Sequence, residues 1–515
     1  MLWNTPLIQC LANSCWVCLG ATGLAMILGG SLAALTTCFR VPFGRSLSVC
    51  MLSLILVPVY VQATAWSAGF GVQGWFKLSQ VAAATSPVRA IASVIWIHGT
   101  ACAPICFLFC ALGIRRSMDL SVRQALLDFG PWFAATRVIL PKAWPWCLAG
   151  CLWTVAMVGN DMVVTNLFQL PTLTETVYQQ IQFNELHWST LLAACIMPGM
   201  IASVAVICYA LFPDILKGEL SSDDASQWDA LALIGPMRWV ASWLAFVIVM
   251  IVAILPLLSL IVKAGWRARV VDGELQRDWS LRVLIHSFGQ ITNFSNELSW
   301  SIQLSLYSSC VAILVAVALL LAMEVIPASG MSIGLLRSRS GDRGKCRNVL
   351  LLAGMFFLLS TPGPLVNLTV LQLLHRPNSD LLAFLTDQTL LGPIVAMQSR
   401  CLPLAFGILW LAKTRFAVRN NLTLRLDQGL PWKDRLWVWA TAMRIPGVYA
   451  FAVSVFVSFA DLSTYLLVQP PGVTTVAMRM FDLLHYGVKN QEAALALALA
   501  MVSMAITYRL LAKVR

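Results

Sequence analysis

Long apolar runs separated by short polar intervals recur from one end of the chain to the other. A helix needs about 20 apolar residues to cross the hydrocarbon of a bilayer. Eleven stretches approach that length: 14–39, 47–66, 90–114, 144–166, 190–212, 239–262, 298–325, 349–373, 390–412, 447–468 and 492–510. Between the fifth and the sixth lies a polar interval, 213–237, that carries Asp214, Glu219, Asp223, Asp224 and Asp229 and reads as a solvated linker. The pattern predicts an all-α polytopic membrane protein. Its first half, 1–212, holds about five spans, and its second half, 238–515, about six.

One interval differs from an ordinary loop. The segment 123–141, RQALLDFGPWFAATRVILP, is amphipathic and is interrupted at Gly130-Pro131. Proline pushes the residue before it out of the helical region and is itself tolerated in a first turn. The spacing therefore predicts two short helices along the membrane face, joined at a bend, the second ending at Pro141. A similar segment, LDQGLPWKDRLWVWATAMRIP, spans 426–446, and Pro131-Trp132 matches Pro431-Trp432 at an offset of 300. Prolines precede both segments, at Pro58 in LILVPVYVQATAW and at Pro362 in LLSTPGPLVNLTVLQLL. Aspartates follow both, Asp161 and Asp461, again 300 apart. The halves read as a duplication, an arrangement that places a transport pathway at the repeat interface. The stretch 239–262 has no counterpart in the first half, so a helix either precedes this sequence or has been shed.

Composition sharpens the class. Of 515 residues 59% are hydrophobic and 11% charged, with mean hydropathy +0.78, whereas soluble domains carry about 25% charged residues. The net charge of +12 belongs to cytoplasmic loops rather than to a nucleic-acid surface. If 123–141 is cytoplasmic, the loops on that side hold 24 of the 35 basic residues, the opposite loops 10, and Arg400 lies within a span. That asymmetry orients the chain with its N-terminus outside. The N-terminus lacks the basic region of a cleaved signal peptide.

Few residues suggest chemistry. An ionisable side chain at membrane depth is a functional candidate by default, which singles out Asp161, Asp461 and Arg400. The aspartates either flank a translocation pathway or cap their helix ends near water; Arg400 either pairs with one of them or snorkels outward. Cys102, Cys106 and Cys110 form a stripe at i, i+4, i+8 and read as packing between helices rather than as a metal site. No metal site or cofactor is expected. His98, His187, His286, His375 and His485 are dispersed and read as structural. The string SGDRGKC, 340–346, lacks the glycine spacing and the Ser/Thr of a nucleotide-binding P-loop, so the chain is not expected to hydrolyse ATP.

The segment ALLDFGPWFAATRVILP resembles the EAA loop of permease subunits from binding-protein-dependent ABC importers. Leu140-Pro141 and Pro131-Trp132 fit that loop, while Val122 stands in place of its glutamate and Asp128 in place of its glycine. The segments NDMVVTNLFQLPTLTETVY and PPGVTTVAMRMFDLLHYG are similar to the fused two-half permeases of the iron(III) importer family, with thiamine permeases close by. The resemblance implies a bacterial inner-membrane permease served by two ABC ATPase subunits and a periplasmic solute-binding protein. It implies ATPase coupling through Leu126, Leu127, Asp128, Gly130, Pro131, Trp132, Leu140 and Pro141, and through Leu426, Gly429, Pro431, Trp432 and Pro446. Iron(III) is the implied substrate, with thiamine the alternative. An ion-driven secondary transporter is the rival outside the family, but has no use for two matched loops.

Overall fold

The computed structural model describes residues 5–39, 41–71, 74, 87–211, 236–271, 274–325, 340–374, 380–419 and 432–513. In chain order the helices are α1 (Pro6–Cys38), α2 (Gly44–Ser53), α3 (Val59–Phe70), α4 (Pro87–Ser117), α5 (Leu120–Phe129), α6 (Pro131–Asn160), α7 (Val163–Leu167), α8 (Leu173–Gln182), α9 (Trp188–Leu211) and α10 (Met237–Ala264). An antiparallel hairpin follows, β1 (Trp266–Val271) with β2 (Glu274–Trp279), pairing Trp266 with Trp279. Then come α11 (Leu281–Met323), α12 (Ser340–Ser360), α13 (Gly363–Leu374), α14 (Asp380–Gln388), α15 (Leu391–Arg419), α16 (Trp432–Ala460), α17 (Val476–His485) and α18 (Asn490–Lys513).

Among the described residues nine helices are long and apolar enough to cross a membrane: α1, α4, α6, α9, α10, α11, α15, α16 and α18. The pair α12–α13, bent by 102°, makes ten if it is taken as one span. The protein is thus a multi-pass membrane protein. Its outward faces agree: Ile196, Met200, Ile207 and Leu211 on α9 and Trp239 and Trp243 on α10 are exposed, the apolar surface that lipid covers.

The expected count of eleven needs correction at two places, 47–66 and 349–373. The stretch 47–66 is two helices, α2 and α3, separated by 54–58. Pro58 supplies no N–H to continue α2 and instead caps α3 in an extended conformation. Pro362 breaks the matching stretch between α12 and α13. The paired prolines therefore produce paired breaks. The expected helix end at Pro141 is also corrected. Pro141 lies inside α6, as Pro446 does inside α16. Before Pro141 the helix widens to a π turn over Ala134–Ile139, and such a turn accommodates a residue that the regular ladder does not hold.

The residues group into two compact units. One comprises Met1–Thr190, Leu220–Ser301 and Thr474–Arg515; the other Leu191–Glu219 and Ile302–Val473. In sequence terms each unit contains the closing helix of the opposite half, α18 in the first and most of α9 in the second. In the first unit α4 packs along α1 and α6 through small buried residues such as Ala21, Ala25, Ala103 and Ala143, and α10 packs on α3 and α18. In the second unit α15 packs along α16, with Ala396, Met397, Cys401, Ala405 and Ala450 buried. Small side chains let helix axes approach closely where lipid offers no hydrophobic driving force.

Candidate functional site

The bend predicted at Gly130 is present. Asp119 starts α5 as its N-cap, its Oδ1 accepting from the Val122 N–H at 3.3 Å. α5 ends at Gly130, whose φ of 83° and ψ of 177° lie in a region that essentially only glycine occupies. Pro131 then opens α6 at its first position. Val122 and Ala125 bury one face of α5 in a core that also takes in Ala134, Ile139 and Ala143 of α6, and Leu126 packs half-buried against it. A brace closes the elbow from outside. Lys142 Nζ reaches Asp119 Oδ2 and Ser121 Oγ, both at 2.6 Å. Burial of the Asp119 carboxyl is outweighed by hydrogen bonds from Lys142 and Ser121 and by the Lys142 charge, which hold it below its ordinary value.

The outer face of the elbow is apolar and uncovered. Leu127 is 81% exposed, Trp132 71% and Phe129 66%; Asp128, Pro131, Leu140 and Pro141 are exposed as well. Phe129 and Phe133 lie across the bend with ring centroids 4.6 Å apart. In the second copy Leu426, Gly429 and Pro431 lie outside the described residues, and Trp432 is the first residue of α16.

Asp161 and Asp461 sit just past the ends of α6 and α16 rather than inside them, because each turns its carboxylate to the next stretch of backbone. Asp161 Oδ2 accepts from the Val164 N–H at 2.9 Å. Asp461 Oδ1 accepts from the Thr464 N–H at 3.4 Å and from Ser463 Oγ at 3.1 Å, and its Oδ2 accepts from Thr464 Oγ1. Both are caps, and both also face a buried cation-forming group. Arg400, only 3% exposed, stands 3.4 Å from Asp461 and donates to Thr464 Oγ1 at 3.1 Å. It also donates to the carbonyls of Leu359 at 2.5 Å and Thr361 at 2.8 Å. Those carbonyls lie at the break before Pro362, where the helix supplies no N–H. Asn367 adds a bond to the Ser463 carbonyl at 3.0 Å, and a Cβ on Gly363 would stand 2.5 Å from the Ser463 backbone. Arg400 thus ties the broken segment to the turn after Asp461. This realises the pairing alternative for Arg400; the snorkelling alternative is excluded by its burial.

His98 is the residue that sequence reasoning missed. Only 1% exposed, it places Nε2 3.4 Å from Asp161 Oδ2, without the alignment of a hydrogen bond. His98 on α4 and Arg400 on α15 each lie on the membrane-length helix before the one that ends at the aspartate. The signal was in the sequence: His98 continues the Cys102, Cys106, Cys110 stripe one turn back. That stripe packs between helices, Cys106 against Thr154 at 3.3 Å and Cys110 against Cys147 at 3.4 Å. Among the described residues no group of three His, Cys, Asp or Glu is disposed to hold a metal ion.

No family model, curated protein or solved structure matches this chain. The repeat therefore stands on internal geometry. A second correspondence supports it. The N–H of Leu173, first in α8, donates to Ser14 Oγ on α1 at 2.8 Å, and the N–H of Val476, first in α17, donates to Ser301 Oγ on α11 at 2.8 Å. The first residue of each short helix is thus held by a serine hydroxyl, from α1 in one half and α11 in the other.

Proposed function

We propose that this chain is the permease subunit of an ABC importer, carrying both halves of the pore in one polypeptide. The observation that supports this most is the elbow over Asp119–Leu140. It is packed on its inner face by Val122 and Ala125, tied at its surface by Lys142 and Asp119, and it presents Leu127, Phe129 and Trp132 outward. A helix with a secured inner face and an uncovered aromatic outer face suits a mechanical joint to another protein. In this reading two ATPase subunits seat the elbow and its counterpart around Trp432. Closure of the ATPase dimer moves both as rigid bodies, and the attached spans rock between inward- and outward-facing states. A periplasmic solute-binding protein delivers the substrate, and the chain carries out no bond chemistry itself. The setting is a bacterial inner membrane.

Truncating aromatic anchors costs about 2 kcal/mol or more each at an interface. Trp132→Ala combined with Trp432→Ala is expected to leave the protein in the membrane and to release the ATPase on purification. Undiminished co-purification with the double variant would refute the coupling role. The substrate we propose is iron(III), on the resemblance of 160–178 and 470–487 to iron permeases. Cells lacking this gene are expected to lose uptake of radiolabelled iron; retained iron uptake with loss of thiamine uptake would transfer the assignment to thiamine.

A further inference from the structure

Three sulfur atoms from three helices of the first compact unit meet in the core that backs the elbow. Cys110, on α4, places Sγ 3.4 Å from Cys147 Sγ on α6 and 4.0 Å from Met26 Sδ on α1. Both cysteines are buried, and Met26 is half-buried. A π turn of α1 over Met26–Gly30 begins at this methionine, and such turns recur at functional sites. Gly30 borders the group: a Cβ there would stand 3.7 Å from both Cys110 Sγ and the Met26 methyl. Cys106, one turn along α4, instead pairs with Thr154 Oγ1 at 3.3 Å.

The donors select the ion. Thiolate and thioether sulfur are soft ligands that favour copper(I), whereas magnesium, calcium and manganese want oxygen. Three metal–sulfur bonds of about 2.3 Å in one plane set the sulfurs about 4 Å apart. The separations of 3.4 and 4.0 Å already approach that spacing. Zinc takes four ligands in its structural sites, and among the described residues no three of His, Cys, Asp and Glu are disposed to hold an ion. Here the thioether completes the set. Charge points the same way. The Cys110 thiol has one hydrogen and faces two sulfurs. A monovalent ion in place of that hydrogen leaves the net charge of the buried group unchanged, where an added charge would be costly.

We propose that Met26, Cys110 and Cys147 form a copper(I) site that ties α1, α4 and α6 together behind the elbow. On binding, the Cys110 S–H bond breaks and an S–Cu bond forms with the same sulfur electron pair. The proton leaves to water, and no electron is transferred. Cys147 and Met26 complete the coordination through sulfur lone pairs. Val122 and Ala125 of α5 lie in the same core as the two thiols, so the bound ion would fasten the inner support of the elbow.

Copper(I) delivered anaerobically from a chromophoric chelator to the full-length protein in lipid nanodiscs tests this, with the exposed Cys15, Cys195 and Cys310 replaced by serine. One copper(I) per chain is expected beyond what a Cys110→Ala, Cys147→Ala double variant retains. X-ray absorption is expected to show three sulfurs at about 2.3 Å from the metal. Met26→Leu conserves volume and keeps the core packed. It is expected to weaken binding at least roughly tenfold and to reduce the shell to two sulfurs. Equal copper retention by the double variant, a shell with fewer than three sulfurs in the parent protein, or Met26→Leu at parental affinity overturns the site. Should the double variant fail to fold, the absorption shell and Met26→Leu decide alone. The readout involves neither an ATPase nor transport, so the site and the permease reading fail separately.

Discussion

Arg400 shows how one side chain can meet several demands of a broken membrane helix. Carbonyls freed at the Pro362 break have no water to turn to, and an unmet backbone group in the hydrocarbon costs several kcal/mol. The guanidinium supplies a rigid fork of donors to Leu359, Thr361 and Thr464 while facing Asp461. Arg400→Met is expected to cost about 3–5 kcal/mol, because it strands a carboxylate and two carbonyls rather than merely deleting a charge. Thermal unfolding in detergent measures it; a loss under about 1 kcal/mol would show that Asp461 and the break are satisfied without Arg400. Asp461 and Arg400 were visible in the sequence as charges inside apolar runs. Leu359 and Thr361 were not, since their role depends on where a helix stops.

Among the elements, the elbow was the most legible and the broken spans the least. The Gly130-Pro131 pair announces a bend by local sterics alone, and the φ of 83° at Gly130 bears that out. Gly130→Ala forces a Cβ into a conformation that costs about 1–3 kcal/mol. The expected outcome is lowered thermal stability and, on the proposed permease reading, weakened ATPase retention, since the angle between α5 and α6 changes. Unaltered stability would mean the elbow adapts freely, which a rigid coupling joint does not. The expected helix end at Pro141 failed because the helix continues through the proline, with a π turn over Ala134–Ile139 just ahead of it. The stretch 47–66 read as one span because hydropathy averages over Pro58 and takes no account of direction.

For the whole molecule, the basic-residue asymmetry is expected to orient the chain with the elbow on the inner side. Alkaline phosphatase fused after Gln180 is expected to be active, and fused after Asp223 inactive. The opposite result would invert the topology and place the elbow outside, removing it from any ATPase. The compact units divide the residues differently from the linear division at 213–237, because α9 and α18 each belong with residues of the other half. The linear boundary describes the repeat, whereas the units describe packing.

The sequence by itself determined the membrane class and the bend at Gly130, and it set out the matched segments at an offset of 300 and the candidacy of Asp161, Asp461 and Arg400. Each of these rests on a local quantity: hydropathy over one span's length, a proline's effect on its neighbour, or a charge where charges are rare. Only the tertiary structure decided that His98 faces Asp161, that Lys142 braces Asp119, that Ser14 and Ser301 play one role, and that Asn166 links Glu175 to His485. Those pairs lie between 9 and 319 residues apart. What selects them is the need of a buried polar group for a partner, and the fold supplies that partner from any distance along the chain.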